Sequence, residues 1–295
     1  MNYSKWLNKN TSSLCGKTVA MTGCTGGIGV KLCRYLLKID ARLILIDRNK
    51  ARSEQLQNQL KIEFENADIT GLIADLEDME SVAAVCDRLE EMNVDIFIHN
   101  AGAYSIPRHK CSTGYDNVFQ INFVSPYFII KKLLPHLRER SGKVVVVGSI
   151  AHNYSETDAA DIDFSTRRKA SLVYGNAKRY LMFALHELFK NESDVKFAVA
   201  HPGITFTNIT AHYPKLIFAI IKNPMKIIFM KPEKASLSIV EAVFEDCGYC
   251  EWIGPALFNV WGLPSKKLLR TCGEDERRQI YETAEEIFQN CNENC

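Results

Sequence analysis

Short apolar runs alternate with amphipathic stretches along most of this chain. Six of the runs are predominantly apolar rather than alternating, and they predict buried strands at 17–22, 42–47, 69–74, 94–99, 143–148 and 195–200. The stretches between them predict helices at 27–38, 50–65, 79–92, 114–139 and 171–190. Continuously apolar strands are typical of a parallel sheet covered on both faces. The pattern therefore predicts an α/β fold with one doubly wound, mostly parallel sheet.

The domain organisation follows from the absence of internal breaks in this pattern. We find no linker rich in Pro, Gly or Ser and no internal repeat. We expect one domain over 1–295, with a core over about 15–210. A lid or substrate segment is expected at about 204–234 and a C-terminal helical extension at about 264–295.

Composition excludes several classes of function. The formal net charge of +1 argues against a nucleic-acid partner. No apolar run reaches the ~18 residues of a membrane span, and the first residues do not resemble a signal peptide. Because the ten cysteines are scattered, with a single CxxC at Cys247 and Cys250, we expect reduced thiols, a cytoplasmic chain and no metal site.

A glycine-rich segment, TGCTGGIG, follows the first strand directly and opens the first helix. Glycines at such a turn let the backbone approach a pyrophosphate, which the helix N-terminus then stabilises. The position between a strand and a helix makes the motif credible as a dinucleotide site. We expect the site to be built by Gly23, Thr25, Gly26, Gly27, Ile28 and Gly29.

The ends of the second and third strands bear on which dinucleotide binds. Asp47 ends the second strand, where a carboxylate accepts from both ribose hydroxyls of NAD and repels a 2′-phosphate. Arg48 argues for NADP, because a guanidinium pairs with that phosphate, although it could also lie over the adenine. We expect NAD, with NADP as the alternative. Asp75 could accept from the adenine amino group or cap the following helix.

Taken together, TGCTGGIG, Asp75-Leu76 and HNAG (His99 to Gly102) resemble the main branch of the short-chain dehydrogenase/reductase family, over about 17–207. The resemblance implies a Rossmann domain and an NAD(P)-dependent oxidoreductase. It also implies further residues at the cofactor: Leu76, Asn100, Ala101, Gly102, and, in a segment contacting the nicotinamide, Pro202, Gly203, Thr205 and Thr207.

A tyrosine followed four residues later by a lysine occurs twice, as Tyr127/Lys131 and Tyr174/Lys178. The family's catalytic order, Asn then Ser then Tyr and Lys, selects the second pair, with Asn122 and Ser149 upstream. The ammonium of Lys178 favours the phenolate, so that Tyr174 can serve as general acid/base. By resemblance, Ser149 orients the substrate oxygen, Lys178 and Tyr174 also contact the cofactor, and Asn122 kinks its helix around a water.

The region around Tyr174 bears on the substrate. The 24 residues between Ser149 and Tyr174 resemble the long loop of the retinol dehydrogenase-like branch. This implies a hydrophobic alcohol or carbonyl substrate, such as a steroid, retinoid or lipid. The apolar, lysine-spaced stretch 213–231 could be a lid, a peripheral membrane contact or a partner surface.

The helices and the Tyr/Lys motif also bear on the oligomeric state and on alternative functions. We expect a homodimer or homotetramer, because the two long helices after the fourth and fifth strands usually pair in this fold. The alternatives are a non-catalytic dinucleotide sensor or scaffold, and a nucleotide-sugar epimerase or dehydratase. The latter shares the Tyr/Lys spacing but usually has a larger C-terminal domain.

Overall fold

An eight-stranded sheet forms the centre of the computed structural model, which describes residues 3–204 and 230–294. The strand order is β3-β2-β1-β4-β5-β6-β7-β8. All neighbouring strands are parallel except β7 and β8, which are antiparallel. The strands are β1 (Thr18–Thr22), β2 (Arg42–Asp47), β3 (Ile69–Ile73), β4 (Ile96–His99), β5 (Lys143–Val147), β6 (Lys196–Ala200), β7 (Glu251–Leu257) and β8 (Trp261–Leu268).

Helices cover both faces of this sheet, as the continuously apolar strands predict. Every residue of β1 and of β5 is buried, and Val19 of β1 pairs with Leu43 on one side and Ile96 on the other. The helices are α1 (Tyr3–Asn10), α2 (Gly27–Leu37), α3 (Lys50–Glu63), α4 (Met79–Glu90), α5 (Asn117–Phe119 and Ser125–Glu139), α6 (Ala170–Leu188), α7 (Pro232–Phe244) and α8 (Glu274–Asn294). The doubly wound fold predicted from sequence is therefore confirmed.

Helix α5 occupies most of the helix predicted over 114–139, and it is interrupted at Asn122. It begins at Asn117, capped by the Asp116 side chain, which accepts from Val118 N at 3.0 Å. A π-helical turn, Gln120–Val124, interrupts it. Asn122 lies within this turn, and its Nδ2 donates to Val118 O and Ala103 O, each at 2.8 Å. Because π-turns inside helices widen the backbone locally, the turn produces the irregularity expected at Asn122.

The C-terminal part contains more sheet than the sequence pattern predicted. Strands β7 and β8 and helix α7 were not predicted. The helical extension expected from 264 is wrong for 264–268, which continue strand β8. The reason is local: β8 lies at the sheet edge with one side exposed, so it lacks the continuous apolar run of the buried strands. Phe258 and Asn259, with φ of 54° and 58°, form the turn that reverses the chain.

Helix α8 packs against α5 and α6, the two helices that the sequence analysis expected to face a partner subunit. The rings of Phe128 on α5 and Phe288 on α8 lie 5.5 Å apart. A dimer formed through this face has to accommodate α8. Over 3–204 and 230–294, no helix is long and apolar enough to cross a bilayer. The stretch 213–231 lies outside the described residues, except for Met230 and Lys231.

Candidate active site

A cleft of about 600 Å³ opens at the carboxyl ends of β1 to β4, where ligands of doubly wound sheets bind. Its walls come from the glycine turn, the ends of β2 and β3, and the segment after β4. The predicted cofactor residues that line it are Gly23, Thr25, Gly26, Gly27, Ile28, Gly29, Asp47, Arg48, Asp75, Leu76, Asn100, Ala101 and Gly102. The structure thus brings together residues from four separate parts of the sequence.

The glycine turn requires glycine at two positions. Gly23 has a φ of 71°, and a Cβ there would lie 2.8 Å from Ala101 Cα. A Cβ on Gly29 would lie 2.2 Å from Gly23 O. Asn100 fastens the turn, because its Nδ2 donates to Thr22 O at 3.2 Å and Gly23 O at 2.9 Å. The bare backbone leaves room for a phosphate at the N-terminus of α2.

Asp47 is held by the same turn. Its Oδ1 accepts from Thr25 N at 3.1 Å and Thr25 Oγ1 at 3.0 Å. Burial raises the pKa of the carboxyl, although the bonds from Thr25 oppose this. The second oxygen, Oδ2, is buried without a hydrogen-bond partner among the described residues. A buried carboxylate oxygen with free acceptor capacity in a nucleotide cleft fits a ribose hydroxyl.

Arginines stand at the same end of the cleft. The Arg48 side chain is 70% exposed, and its Nη1 lies 3.9 Å from Glu77 Oε1. Arg52, on the first turn of α3, also lines the cleft and was missed by the sequence analysis. The sequence feature that could have identified Arg52 is its position one turn after the helix cap Asn49. Side chains in a helix point toward its N-terminus, which here adjoins the end of β2.

Asp75 does not cap the helix that follows it. The N-cap of α4 is Asp78, whose Oδ1 accepts from Glu80 N at 3.1 Å. Asp75 Oδ1 instead accepts from Glu77 N at 3.0 Å, which closes a tight turn. The carboxylate stays exposed at the cleft. The capping alternative for Asp75 is therefore wrong.

Tyr174 and Lys178 lie one turn apart on α6. Lys178 is buried, its Nζ donates to Val147 O at 3.0 Å, and the same Nζ lies 5.8 Å from the centre of the Tyr174 ring. Burial lowers the pKa of Lys178 to about 7 and raises the pKa of Tyr174 to about 12. A Cβ on Gly102 would lie 3.7 Å from Lys178 Nζ, so the lysine lies directly behind the cofactor cleft.

Ser149 has two roles in the geometry. It caps the short 3₁₀-helix Ile150–Asn153, with its Oγ accepting from Ala151 N at 3.2 Å. Its side chain also lies close enough to the Tyr174 phenol to lower the pKa of Tyr174, against the larger effect of burial. The structure therefore brings Ser149, Tyr174 and Lys178 together. Asn122 is joined to them through the segment after β4, because Ala103 N donates to Asn122 Oδ1 at 3.3 Å.

The second Tyr/Lys pair, Tyr127 and Lys131, binds a carboxylate of α8 instead of facing the cofactor cleft. Lys131 Nζ donates to both carboxylate oxygens of Glu285 on α8, at 2.9 and 2.7 Å. The Tyr127 hydroxyl donates to the same carboxylate, and burial raises the pKa of Tyr127. This pair therefore fastens α8 to α5.

Two aromatic residues beside Tyr174 were missed by the sequence analysis. The Tyr104 ring meets the Tyr174 ring edge-on, with centroids 5.4 Å apart at an angle of 82°. Tyr104 also lines the cofactor cleft and so connects it to Tyr174. Tyr154, half-exposed, is close enough to raise the pKa of Tyr174. The sequence feature that could have identified Tyr104 is its position two residues after Gly102, the last residue of the cofactor segment HNAG.

The predicted nicotinamide segment is described only in part. Gly203 has a φ of 78°, and a Cβ there would lie 3.0 Å from Val260 O and 3.1 Å from Met230 Sδ. Immediately before Pro202, the ring of His201 stacks on that of Trp252, with the ring centres 4.9 Å apart. Thr205 and Thr207 lie outside the described residues.

A doubly wound sheet with a glycine turn after its first strand defines a protein that binds a nucleotide cofactor. The chain belongs to the short-chain dehydrogenase/reductase family, whose members are oxidoreductases that use NAD or NADP. The family model described as short chain dehydrogenase matches residues 17–161. Human retinol dehydrogenase 14 is 30% identical over 264 residues, which is 79% of each chain.

A second retinol dehydrogenase agrees with this family, and a solved structure agrees with the fold. Retinol dehydrogenase 14 from Mus musculus is 31% identical over 212 residues, covering 67% of this chain and 64% of that protein. The fold is matched over a longer stretch by a crystal structure of an uncharacterised protein from Mycobacterium paratuberculosis. Its TM-score is 0.76 at 21% identity, over 95% of this chain and 96% of that one.

Proposed function

We propose that this protein is an NAD-preferring oxidoreductase that interconverts a hydrophobic alcohol and its ketone or aldehyde, with Tyr174 as general acid/base. The observation that carries the proposal is the buried Lys178, whose Nζ lies 5.8 Å from the centre of the Tyr174 ring, with Ser149 near the phenol and the cofactor cleft in front. A phenol, a hydroxyl and an amine converging on one point are the groups that alcohol oxidation requires.

In this proposal each side chain has one task. Ser149 donates to the substrate oxygen and holds it beside the phenol of Tyr174. Tyr174 takes the alcohol proton in oxidation and returns it in reduction. Lys178, when protonated, places a positive charge beside Tyr174 that favours the phenolate. The nicotinamide, when bound, accepts or donates the hydride. Asn122 fixes the segment after β4 through its bonds to Ala103.

The preference for NAD is supported by Asp47. Its free Oδ2 is an acceptor for a ribose hydroxyl, and the carboxylate would repel a 2′-phosphate at the same place. The exposed Arg48 and the nearby Arg52 favour NADP, which therefore remains the rival cofactor.

The hydrophobic substrate is supported by two features. Aromatic side chains, Tyr104 and Tyr154, flank the phenol of Tyr174. Two of the relatives are named retinol dehydrogenases, and retinol is a lipophilic alcohol. Aromatic rings beside the reacting hydroxyl favour an apolar ligand, because they offer apolar surface for it to bury.

Steroid, retinoid and simple alcohols, assayed with NAD and with NADP by absorbance of the reduced cofactor, test this proposal. We expect oxidation of apolar alcohols that is lost in Tyr174→Phe. A protein that binds NADH but oxidises none of them would favour the sensor or scaffold alternative. Activity that survives in Tyr174→Phe would exclude Tyr174 as the acid/base.

A further inference from the structure

Arg179 follows Lys178 on α6, and its guanidinium is 2% exposed. Nε donates to Glu276 Oε1 at 2.7 Å, and Nη2 donates to Glu276 Oε2 and, at 2.7 Å, to Thr271 O. Nη1 donates to His152 O at 3.0 Å. A planar guanidinium with three separate partners is held in one orientation. Arg179 therefore joins the helix of Tyr174 to the C-terminal segment 271–276.

The same C-terminal segment reaches the loop that carries Ser149. His152 contacts Ser149 O through Nδ1, and its Nε2 lies 3.0 Å from Thr271 Oγ1. Burial lowers the pKa of His152 to about 4, so the ring is neutral at pH 7. Because a carbonyl can only accept, Nδ1 carries the proton, and Nε2 accepts from the Thr271 hydroxyl. A chain of bonds thus runs from Thr271 through His152 to Ser149.

Glu276 also holds the loop between Ser149 and Tyr174. Its Oε1 accepts from Thr157 N and from Thr157 Oγ1, each at 3.1 Å. The bonds from Arg179 and Thr157 lower the pKa of Glu276 to about 2, against desolvation, which alone would raise it. The carboxylate therefore stays charged throughout the neutral range and binds two elements of the site at once.

We propose that Arg179 and Glu276, together with His152 and Thr271, form a C-terminal clamp that positions Ser149 against Tyr174. These are positioning residues, since none of the four lines the cleft. The inference rests on the proposed function, because it assigns the clamp to the reaction of Ser149 and Tyr174. It makes segment 271–276, outside the nucleotide-binding core, a requirement for the chemistry.

The physical reason is that, in the proposed reaction, Ser149 and Tyr174 have to lie within hydrogen-bonding distance of the same substrate oxygen. Ser149 sits at a strand end and Tyr174 on α6, and 24 residues of loop separate them along the chain. A loop of that length does not by itself fix two side chains to within a few tenths of an ångström. A misplacement of about 1 Å from a distant change can cost about 100-fold in rate. The clamp removes that freedom by tying both elements to α8.

The primary test compares Glu276→Gln with Glu285→Gln. Both substitutions remove one carboxylate of α8 that pairs with a basic side chain, but Glu285 contacts Tyr127 and Lys131 rather than the Ser149 loop. We expect Glu276→Gln to lower kcat by about 10- to 100-fold with little change in the Kd for NADH. Glu285→Gln should keep kcat and lose only thermal stability. Glu276→Asp, which retains the charge, should recover part of the rate.

Two readouts separate positioning from a general loss of stability. In Glu276→Gln, amide hydrogen exchange should rise over 149–157 while the glycine turn stays protected. The pH profile of alcohol oxidation should move to higher pH, because the Ser149 contact lowers the pKa of Tyr174 while Tyr104 and Tyr154 raise it. Glu285→Gln should change neither readout.

Thr271→Val provides a second variant, because it leaves no buried charge unpaired and so is expected to fold. It removes the hydroxyl that holds His152 and should lower kcat by several-fold, with the same shift of the pH profile. Folded Glu276→Gln and Thr271→Val proteins with wild-type kcat, exchange and pH profile would overturn the clamp. If Glu276→Gln does not fold, the kcat and the pH profile of Thr271→Val decide whether the clamp exists. Tyr174→Phe is assayed alongside: only its activity bears on the proposed function itself.

Discussion

Lys178 Nζ lies 5.8 Å from the centre of the Tyr174 ring and donates to Val147 O at 3.0 Å. The backbone carbonyl at the end of β5 therefore fixes the lysine beside the phenol. Since burial lowers the pKa of Lys178 to about 7, its charge is sensitive to whatever occupies the cleft in front of it. In the proposed reaction, the effect of Lys178 on the Tyr174 phenol therefore depends on what occupies the cleft.

From the proposed role of Tyr174 as general acid/base, Tyr174→Phe should reduce alcohol oxidation by at least about 100-fold, because the ring is kept and only the hydroxyl is lost. Binding of NADH, followed by its fluorescence, should persist. Tyr127→Phe is the matched control, since it removes the same hydroxyl from the other Tyr/Lys pair. It should leave kcat unchanged and lower stability through loss of the bond to Glu285. Equal losses of rate in the two variants would contradict the assignment.

Asp47→Ala should raise the Kd for NAD by about tenfold or more, because a hydrogen bond to a charged group contributes about 1.5–3 kcal/mol. Its effect on NADP should be smaller or opposite in sign. Arg48→Ala is the reciprocal variant and should weaken NADP alone. Isothermal titration with both cofactors measures the difference. Tighter binding of NADP than of NAD by the unmodified protein would show that the arginines outweigh Asp47.

Gly29→Ala should abolish NADH binding or destabilise the fold by a few kcal/mol, because its Cβ would lie 2.2 Å from Gly23 O and 2.8 Å from Cys24 O. Both are backbone carbonyl oxygens, which cannot relieve the clash by a change of side-chain rotamer. Gly273→Ala is the control, since a Cβ there meets nothing within 4 Å. Thermal denaturation with and without NADH compares the two. Wild-type binding by Gly29→Ala would mean that the turn is not the phosphate site.

Stability should fall on acidification from pH 7.5 to 5. Burial lowers the pKa of His152 and of His201 to about 4 and that of His186 to about 3. The unfolded chain, with histidine pKa values of about 6.5, binds more protons than the folded chain between these limits. The free energy of unfolding is therefore highest, as far as these histidines determine it, above about pH 6.5. It falls as the pH is lowered toward 4, because the unfolded chain is then protonated in preference to the folded one.

The expected loss at pH 5 is up to about 2 kcal/mol for each of these histidines. Urea denaturation at the two pH values measures it. His186→Phe keeps an aromatic ring against Phe197 and should show a weaker dependence on pH. A free energy of unfolding that is the same at pH 7.5 and 5 would contradict the prediction.

The sequence by itself determined the nucleotide-binding half of the fold. The runs that form β1 to β6 are predominantly apolar rather than alternating, and that pattern is typical of a sheet covered on both faces. The glycine turn was equally readable, because no other residue tolerates the backbone contacts at Gly23 and Gly29. These features depend on neighbours along the chain, which is why periodicity and motif spacing reveal them.

Only the tertiary structure decided how distant residues meet. Helix α8 gives Tyr127 and Lys131 a structural partner in Glu285, and places Glu276 on Arg179, next to Lys178. Strand β8 depends on pairing with β7, since its half-exposed sequence has no strand signal of its own. Each of these contacts joins residues far apart in sequence, and their geometry depends on packing that no local pattern encodes.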